Sequence, residues 1–270
     1  MDPIKLYWEE RAENSNGKLN VTTDDVYFRE LEINTLDNFI AQHFANGNKI
    51  KILDLGCGDG HMALSIAKRK PNVYIQGFDF ATNMIAIANA KLAKLAKLAN
   101  EHEIKNRIKF KVGNILELST LLEKHNYYDL IITSRTLINL QNKIDQYETI
   151  KNIHTLLNTN GYFIGFENFI ENHELLNQVR QTIGLTPIAI RWHNRYFVEQ
   201  EFIEYTSKLY TEVEIIDFAS SYFFATRVIY SLFCKAENKT PDYNHLIHQQ
   251  SINLPNMGKF CPVRFVVLKK

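Results

Sequence analysis

Two aspartates border a glycine-rich turn that follows a short apolar run at residues 50–55. Asp54 lies near the end of the run and Asp59 lies within the turn, whose glycines are Gly56, Gly58 and Gly60. A helical pattern at 61–67 comes next, so the free N–H groups of a first helical turn point at a ligand above the end of the strand. Two carboxylates at this place repel a pyrophosphate and attract a cation. The turn therefore predicts a binding site for a positively charged ligand.

A further acid predicts that this ligand contains a sugar. Residues 73–78 have the pattern of a second strand, and Asp79 ends it. An acid at this place, about twenty residues past the glycines, accepts hydrogen bonds from ribose hydroxyls in nucleoside-binding sheets. The glycine spacing, G-x-G-x-G, is one residue short of the dinucleotide pattern. A cationic nucleoside fits both features, and S-adenosylmethionine, with its sulfonium and ammonium groups, is such a molecule.

Two segments closely resemble the first motifs of class I S-adenosylmethionine-dependent methyltransferases. Residues 53–60, Leu-Asp-Leu-Gly-Cys-Gly-Asp-Gly, are similar to the glycine loop of that family, and residues 77–84 are similar to its ribose and adenine segment. The resemblance extends over residues 50–170 and implies S-adenosylmethionine as the cofactor. From these motifs it implies cofactor contacts by Asp54, Gly56, Cys57, Gly58, Asp59, Gly60, Asp79, Phe80 and Met84.

Residues after the next two strands complete the implied cofactor site. Asn114 and Ile115 follow a strand pattern at 108–113, and Ser134 follows another at 128–133. The family usually has an acid at the first of these positions, where it binds the adenine amino group. Asn114 departs from that pattern, but its side-chain carbonyl can still accept a hydrogen bond.

Residues 1–49 predict an N-terminal cap of one or two helices over the mouth of the cofactor site. Tyr7, Trp8 and Arg11 resemble the aromatic-plus-arginine opening with which many small-molecule methyltransferases cover the cofactor. An equally good interpretation is a hydrophobic arm that packs on the core.

The alternation of strands and helices predicts an α/β fold. Strand and helix patterns alternate five times, which is typical of a parallel sheet with helices on both faces. We therefore expect residues 50–270 to form a methyltransferase domain on a Rossmann-like, seven-stranded, mostly parallel sheet. Segments at about 168–196 and 220–258 follow the fifth and sixth strands and leave from the edge of the sheet that carries the glycine turn. They predict a lid and a substrate pocket.

Composition excludes some partners. The 31 basic and 30 acidic residues give a net charge of +1, which provides no reason to expect nucleic acid or a membrane surface. Three cysteines without pair spacing indicate a reducing, cytoplasmic location, and no run of 18 apolar residues or signal sequence is present. A homodimer is a further possibility.

The candidates for catalysis follow the fourth and fifth strands. Methyl transfer is an in-line displacement, and a hydroxyl acceptor benefits from a general base. His193 is the first candidate base because its ordinary pKa is near neutrality, and Glu167, at the end of the fifth strand, is the second. A structural role for His193 is an equally good interpretation. Candidate substrate-binding residues are Arg135, Asn139, Arg191, Asn194, Tyr196 and Tyr222.

Each of these side chains also has an ordinary interpretation. A lone arginine is more often a surface ion-pair partner, and the aromatic run around Tyr222 is more often core. We expect no metal site, because the spacing of His245 and His248 is not accompanied by a cysteine pair or an acid cluster.

The second half of the chain is similar, in scattered patches, to bacterial small-molecule methyltransferases of surface-polysaccharide or natural-product pathways. The patches are residues 134–140, 185–196 and 253–255, and they imply a small polar acceptor such as a sugar, a nucleotide sugar or a phosphorylated compound. The alternatives are an NAD(P)-dependent oxidoreductase, a non-catalytic cofactor-binding protein, and a protein or RNA methyltransferase with an open, basic groove.

Overall fold

A single seven-stranded sheet forms the centre of the molecule. The structure is a computed structural model that describes residues 2–15, 21–44, 47–97, 103–118 and 127–270. Its strands are β1 (Ile50–Leu55), β2 (Val73–Asp79), β3 (Ile108–Val112), β4 (Tyr128–Ser134), β5 (Leu157–Asn168), β6 (Glu212–Ile216) and β7 (Val263–Lys269). They lie in the order β3-β2-β1-β4-β5-β7-β6, and β7 runs antiparallel to the other six strands. The predicted Rossmann-like, mostly parallel sheet is confirmed.

Helices cover both faces of the sheet. They are α1 (Pro3–Glu13), α2 (Val26–His43), α3 (His61–Arg69), α4 (Thr82–Leu95), α5 (Ile104–Arg107), α6 (Lys143–Leu156), α7 (Ile170–Thr182), α8 (Glu199–Thr206), α9 (Ser220–Phe223), α10 (Tyr230–Ala236) and α11 (Leu246–Ser251). Successive side chains of a strand point to opposite faces. Ile52 therefore joins the core that contains α2, whereas Leu53 joins the core that contains α6.

The N-terminal helices have two different attachments. Ile33 and Leu36 of α2 are fully buried in the core of the sheet. In α1, the carboxylate of Glu9 accepts hydrogen bonds from the N–H groups of Thr82 and Asn83, over 2.7 and 2.8 Å. A carboxylate is stabilised at a helix N-terminus by the free N–H groups and the helix dipole. Glu9 thus attaches α1 to the first turn of α4.

The fifth strand begins earlier than its sequence pattern indicates. The sequence pattern predicts a helix at 144–157, a turn at 158–161 and a strand from Tyr162, but β5 already begins at Leu157, which pairs with Tyr128. Asn160 has a φ of 62°, and asparagine adopts this left-handed conformation more readily than most residues. The apparent turn at 158–161 is therefore an irregularity within the strand, and the register shifts between Tyr128 and Leu130.

Candidate functional site

The glycine-rich turn requires glycine because neighbouring elements pack directly against it. Gly56 has a φ of 72°, and a Cβ atom there would lie 2.1 Å from Thr136 Oγ1. Gly58 has a φ of 53°, and its N–H donates to Asp79 Oδ2 over 2.9 Å. The turn therefore connects β1 to the end of β2 and to the loop after β4, and its backbone faces the space between them.

A first cavity, with a volume of about 140 Å³, lies above this turn at the C-terminal ends of the parallel strands. Most of the residues predicted to bind the cofactor line it: Trp8, Asp54, Gly56, Cys57, Gly58, Asp79, Phe80, Met84, Asn114, Ile115 and Ser134. The chain thus brings side chains from α1 and from the ends of four strands to one space. Such crevices at the carboxyl ends of strands are where open α/β sheets bind ligands.

Four residues of the same prediction are not on the wall of this cavity. Asp59 is buried beside it, where its Oδ2 accepts hydrogen bonds from the N–H of Val21 and from Lys91 Nζ. Gly60 ends the turn, just before α3. Arg11 donates to the carbonyl of Val21 over 2.6 Å, and Tyr7 packs against the ring of His193. In this structure Asp59 and Arg11 hold Val21, next to Thr22 of the cavity wall.

Two buried carboxyl groups, those of Asp54 and Asp79, lie on the wall of the first cavity. Burial raises the pKa of Asp54 to about 7, and the nearby Asp79 adds to this effect while Arg29 opposes it. Burial likewise raises the pKa of Asp79 to about 6, although this carboxylate accepts hydrogen bonds from the N–H groups of Gly58 and Ala81. A cation bound beside them would lower the pKa of both carboxyl groups, because a nearby positive charge stabilises the ionised carboxylate.

Arg29 is a residue of this cavity that the sequence analysis missed. It belongs to α2, is only 7% exposed, and donates to Thr22 Oγ1 over 2.6 Å. Burial lowers its pKa, while Glu32, 3.5 Å from Arg29 Nε, opposes that effect. A guanidinium on this wall can bind a ligand carboxylate. No motif identifies Arg29, because only the packing of α2 on the sheet brings it to the site.

A second, larger cavity adjoins the first. It has a volume of about 530 Å³, and both cavities have Thr22 and Arg135 on their walls. Its other lining residues come mainly from the segments between β5 and α8 and between β6 and β7. Of the candidate substrate-binding residues, Arg191, Asn194 and Tyr196 line the second cavity together with Arg135, and Asn139 lines the first.

Tyr222 lies behind the cavity wall. Its ring is 2% exposed, and its hydroxyl donates to Asp25 Oδ1 over 2.6 Å and lies 3.0 Å from His248 Nδ1. Asp25 in turn pairs with Arg227, so the tyrosine stabilises a buried polar network next to the second cavity. Its geometry is that of a core residue with a satisfied hydroxyl.

The two candidate bases, Glu167 and His193, are described in the structure, and neither lies on the wall of either cavity. The carboxylate of Glu167 faces the loop after β4 and accepts hydrogen bonds from three successive backbone N–H groups, those of Thr136, Leu137 and Ile138. The ring of His193 is buried and its centroid lies 4.4 Å from that of Tyr7. Burial lowers the pKa of His193 and raises the pKa of Glu167 to about 7.

Other kinds of site find little support in the described ranges. No group of three or more His, Cys, Asp or Glu side chains in them could hold a metal ion. None of their helices is both long enough and apolar enough to span a bilayer. Cys57, Cys234 and Cys261 are all free and buried.

Comparisons with known proteins agree on one family. The family profile described as "Methyltransferase domain" matches residues 46–199. A malonyl-[acyl-carrier protein] O-methyltransferase of Priestia megaterium is 32% identical over 101 residues, which are 37% of this chain and 31% of that protein. The match thus spans about a third of the length of this curated relative.

Solved structures share the fold. The magnesium protoporphyrin IX methyltransferase of Synechocystis PCC 6803, with bound SAH (S-adenosylhomocysteine), has a TM-score of 0.59 at 12% identity, over 100% of this chain and 95% of that one. The plantazolicin methyltransferase BpumL, in complex with SAH, has a TM-score of 0.56 at 16% identity, over 100% and 91% of the two chains. At these identities the likeness concerns the fold.

Proposed function

This chain belongs to the methyltransferase-domain family, with S-adenosylmethionine as its cofactor, and we propose that it methylates an oxygen or nitrogen atom of a small polar acceptor. The acceptor class that we propose is a sugar, a nucleotide sugar or a phosphorylated compound. The observation that carries the proposal is the pair of adjoining cavities, of which one has Asp54 and Asp79 on its wall and the other is lined by polar side chains.

The first cavity fits the cofactor in charge and in hydrogen bonding. We assign Asp79 to the ribose hydroxyls, Asn114 to the adenine and Asp54 to the positively charged end of the molecule. Arg29 lies on the same wall and suits the carboxylate of the cofactor's amino-acid part. Ser134 Oγ is a buried polar atom on this wall that has no hydrogen-bond partner in the described part of the chain. A bound ligand explains such an atom, because buried polar groups are nearly always paired.

The second cavity fits the acceptor. Arg135 lines both cavities, so it lies where the two molecules meet. The cofactor supplies an activated methyl group, and the protein aligns the acceptor atom with it for in-line displacement. Aligning the reactants removes most of the entropic cost of their encounter. A general base is needed only where the acceptor atom holds a proton that it must lose.

The geometry favours positioning roles for the two candidate bases. Glu167 holds the loop that carries Arg135, and His193 packs against α1, which carries Trp8 into the first cavity. A direct role of either group in proton transfer stays a prediction. A cytoplasmic location and a homodimer stay predictions as well.

Calorimetric titrations with SAH and with NADH test the proposal. We expect SAH to bind in the micromolar range and NADH to bind at least 100-fold more weakly, since Asp54 and Asp79 on the cavity wall repel a pyrophosphate. Incubation with metabolite extracts and methyl-labelled S-adenosylmethionine then identifies a product that gains the label. Tight NADH binding favours the oxidoreductase alternative, and SAH binding without a labelled product from any extract favours a non-catalytic protein.

A further inference from the structure

The wall of the second cavity carries more positive than negative charge. Its arginines are Arg135, Arg180, Arg191 and Arg227, and its acids are Asp24 and Asp25. Both acids already have partners, because Asp24 pairs with Arg11 over 3.5 Å and Asp25 pairs with Arg227. Arg135 pairs with Glu32, an acid that the cavity does not reach. Two guanidinium groups, those of Arg180 and Arg191, remain without an acidic partner in the described ranges.

Arg180 is held in place by carbonyl groups. Its Nε and Nη2 atoms donate to the carbonyl of Thr186 over 3.0 and 2.8 Å, and its Nη1 atom donates to the carbonyl of Arg227. A guanidinium group has five N–H donors, so two remain for a ligand. Burial and the nearby Arg227 lower the pKa of Arg180, as expected where no anion balances the charge. Arg180 is therefore a fixed cation that still has donors to offer.

An irregular helix also contributes to the wall of the second cavity. Residues Phe224–Ile229 form a π-helix, and Thr226 and Arg227 from it line the cavity. The carbonyl that Arg180 contacts belongs to this segment. π-helical turns are rare and occur frequently at functional sites. The hydrogen bond of Arg180 thus joins α7 to the irregular segment at the cavity wall.

Arg191 is the more accessible of the two unpaired cations. It is exposed, lies in the loop between α7 and α8, and its side chain has no hydrogen bond or ion pair with any described residue. Arginine forms bidentate hydrogen bonds with carboxylates and phosphates, because each of these anions presents two acceptor oxygens to the guanidinium group. An anion in this cavity can accept hydrogen bonds from both guanidinium groups and offsets part of their charge.

We propose that the acceptor molecule carries an oxyanion, either a carboxylate or a phosphate, which Arg180 and Arg191 bind in the second cavity. This inference rests on the proposed function, because it describes the acceptor side of the same site. The oxyanion anchors the acceptor and leaves another of its atoms to receive the methyl group near Arg135.

The test is a calorimetric titration with two probe anions, inorganic phosphate and malonate, against chloride at equal ionic strength. It is performed with and without saturating SAH. We compare the wild-type protein with Arg191→Gln and with the control Arg195→Gln. Both arginines are exposed and lie in one loop, but Arg195 lines neither cavity. Arg180→Gln is a second variant, and its folding is checked separately because the side chain binds two carbonyls.

We expect phosphate or malonate to bind more tightly than chloride, and Arg191→Gln to weaken that binding about tenfold, the loss of one charged contact. Arg195→Gln should change it less than twofold. Tighter binding of phosphate identifies a phosphorylated acceptor, and tighter binding of malonate a carboxylated one.

The inference is overturned if neither anion binds more tightly than chloride, or if both loop variants lose the same affinity. The SAH titration of the same samples is independent of these outcomes. Normal SAH binding without an anion effect removes only the inference, whereas absent SAH binding removes the proposed function.

Discussion

The carboxylate of Glu167 accepts a hydrogen bond from the backbone N–H of Thr136 over 3.1 Å and thereby fastens the loop after β4 to the end of β5. The adjacent residue, Arg135, has a φ of 52°, a conformation that is costly for a residue with a side chain. Arg135 also lies on the walls of both cavities. The carboxylate that sequence analysis selected as a base thus holds in place a strained loop on which both halves of the site depend.

Glu167→Ala should lower the free energy of unfolding by about 1–3 kcal/mol, because three backbone N–H groups, two of them in buried hydrogen bonds, lose their acceptor. Glu167→Gln keeps one acceptor oxygen and should lose less. Urea unfolding followed by circular dichroism measures both, with the exposed Glu174→Ala as the control. Should Glu167→Gln retain its stability and its SAH affinity but lose turnover, Glu167 acts in proton transfer instead.

Arg29→Gln should weaken SAH binding about 10- to 100-fold, the loss of a charge-assisted contact to the ligand carboxylate. Methylthioadenosine has the same nucleoside but lacks the amino-acid part, so the substitution should change its affinity less than twofold. Isothermal titration with both compounds provides the comparison. Equal losses for the two compounds would show that Arg29 supports the shape of the cavity and does not bind the carboxylate.

Cofactor affinity should increase as the pH rises from about 5.5 to 7.5. The pKa values of Asp54 and Asp79 in the free protein are about 7 and about 6, so at the lower pH both groups are largely protonated and attract a cation weakly. Binding of a cation favours ionisation and releases protons. Calorimetry at pH 6.5 in two buffers of different ionisation enthalpy measures that release. Asp54→Asn should reduce it, and an affinity that rises towards acid pH would contradict the assignment.

The stability of the ligand-free protein should follow the opposite trend. The pKa values of Asp54, Asp79 and Glu167 are raised on folding, so the folded state binds protons more tightly than the unfolded state. Their contribution is fully present below the unfolded pKa values, near 4, and is lost as the pH rises through 6 to 7. Thermal unfolding between pH 5 and 8 should show this decrease, and saturating SAH should reduce it. An increase in stability over the same range without SAH would be inconsistent with the buried, raised carboxyls.

His193→Phe should keep turnover within about threefold, because the new ring retains the packing against Tyr7 and Trp8. His193→Ala should weaken SAH binding. It removes the ring against which α1 packs, and α1 carries Trp8, which lines the first cavity. Steady-state kinetics and SAH titrations distinguish these effects. A loss of about 100-fold or more in turnover by His193→Phe, with normal SAH affinity, would identify the histidine as a general base.

The sequence by itself determined the sheet and the position of the cofactor turn. Their signals are local: apolar runs of strand length with helical patterns between them, and glycines at 56 and 58. Both glycines have positive φ values, which residues with a Cβ atom rarely adopt. Asp79 was equally predictable from the sequence, since it ends a strand and open α/β sheets bind ligands at the carboxyl ends of their strands. The predicted start of β5, at Tyr162, was wrong because Asn160 and Gly161 resemble a turn when only neighbours in sequence are considered.

Only the tertiary structure decided what the remaining polar residues contact. Glu167 was correctly placed at the end of a strand, but its hydrogen bonds go to a loop 30 residues away in sequence, which no local pattern reveals. Arg29 enters the first cavity because α2 packs on the sheet, and Arg180 and Arg191 face one space because two segments from one edge of the sheet meet there. Backbone conformation depends mainly on nearby residues, whereas the partner of a long polar side chain depends on which distant segments packing brings together.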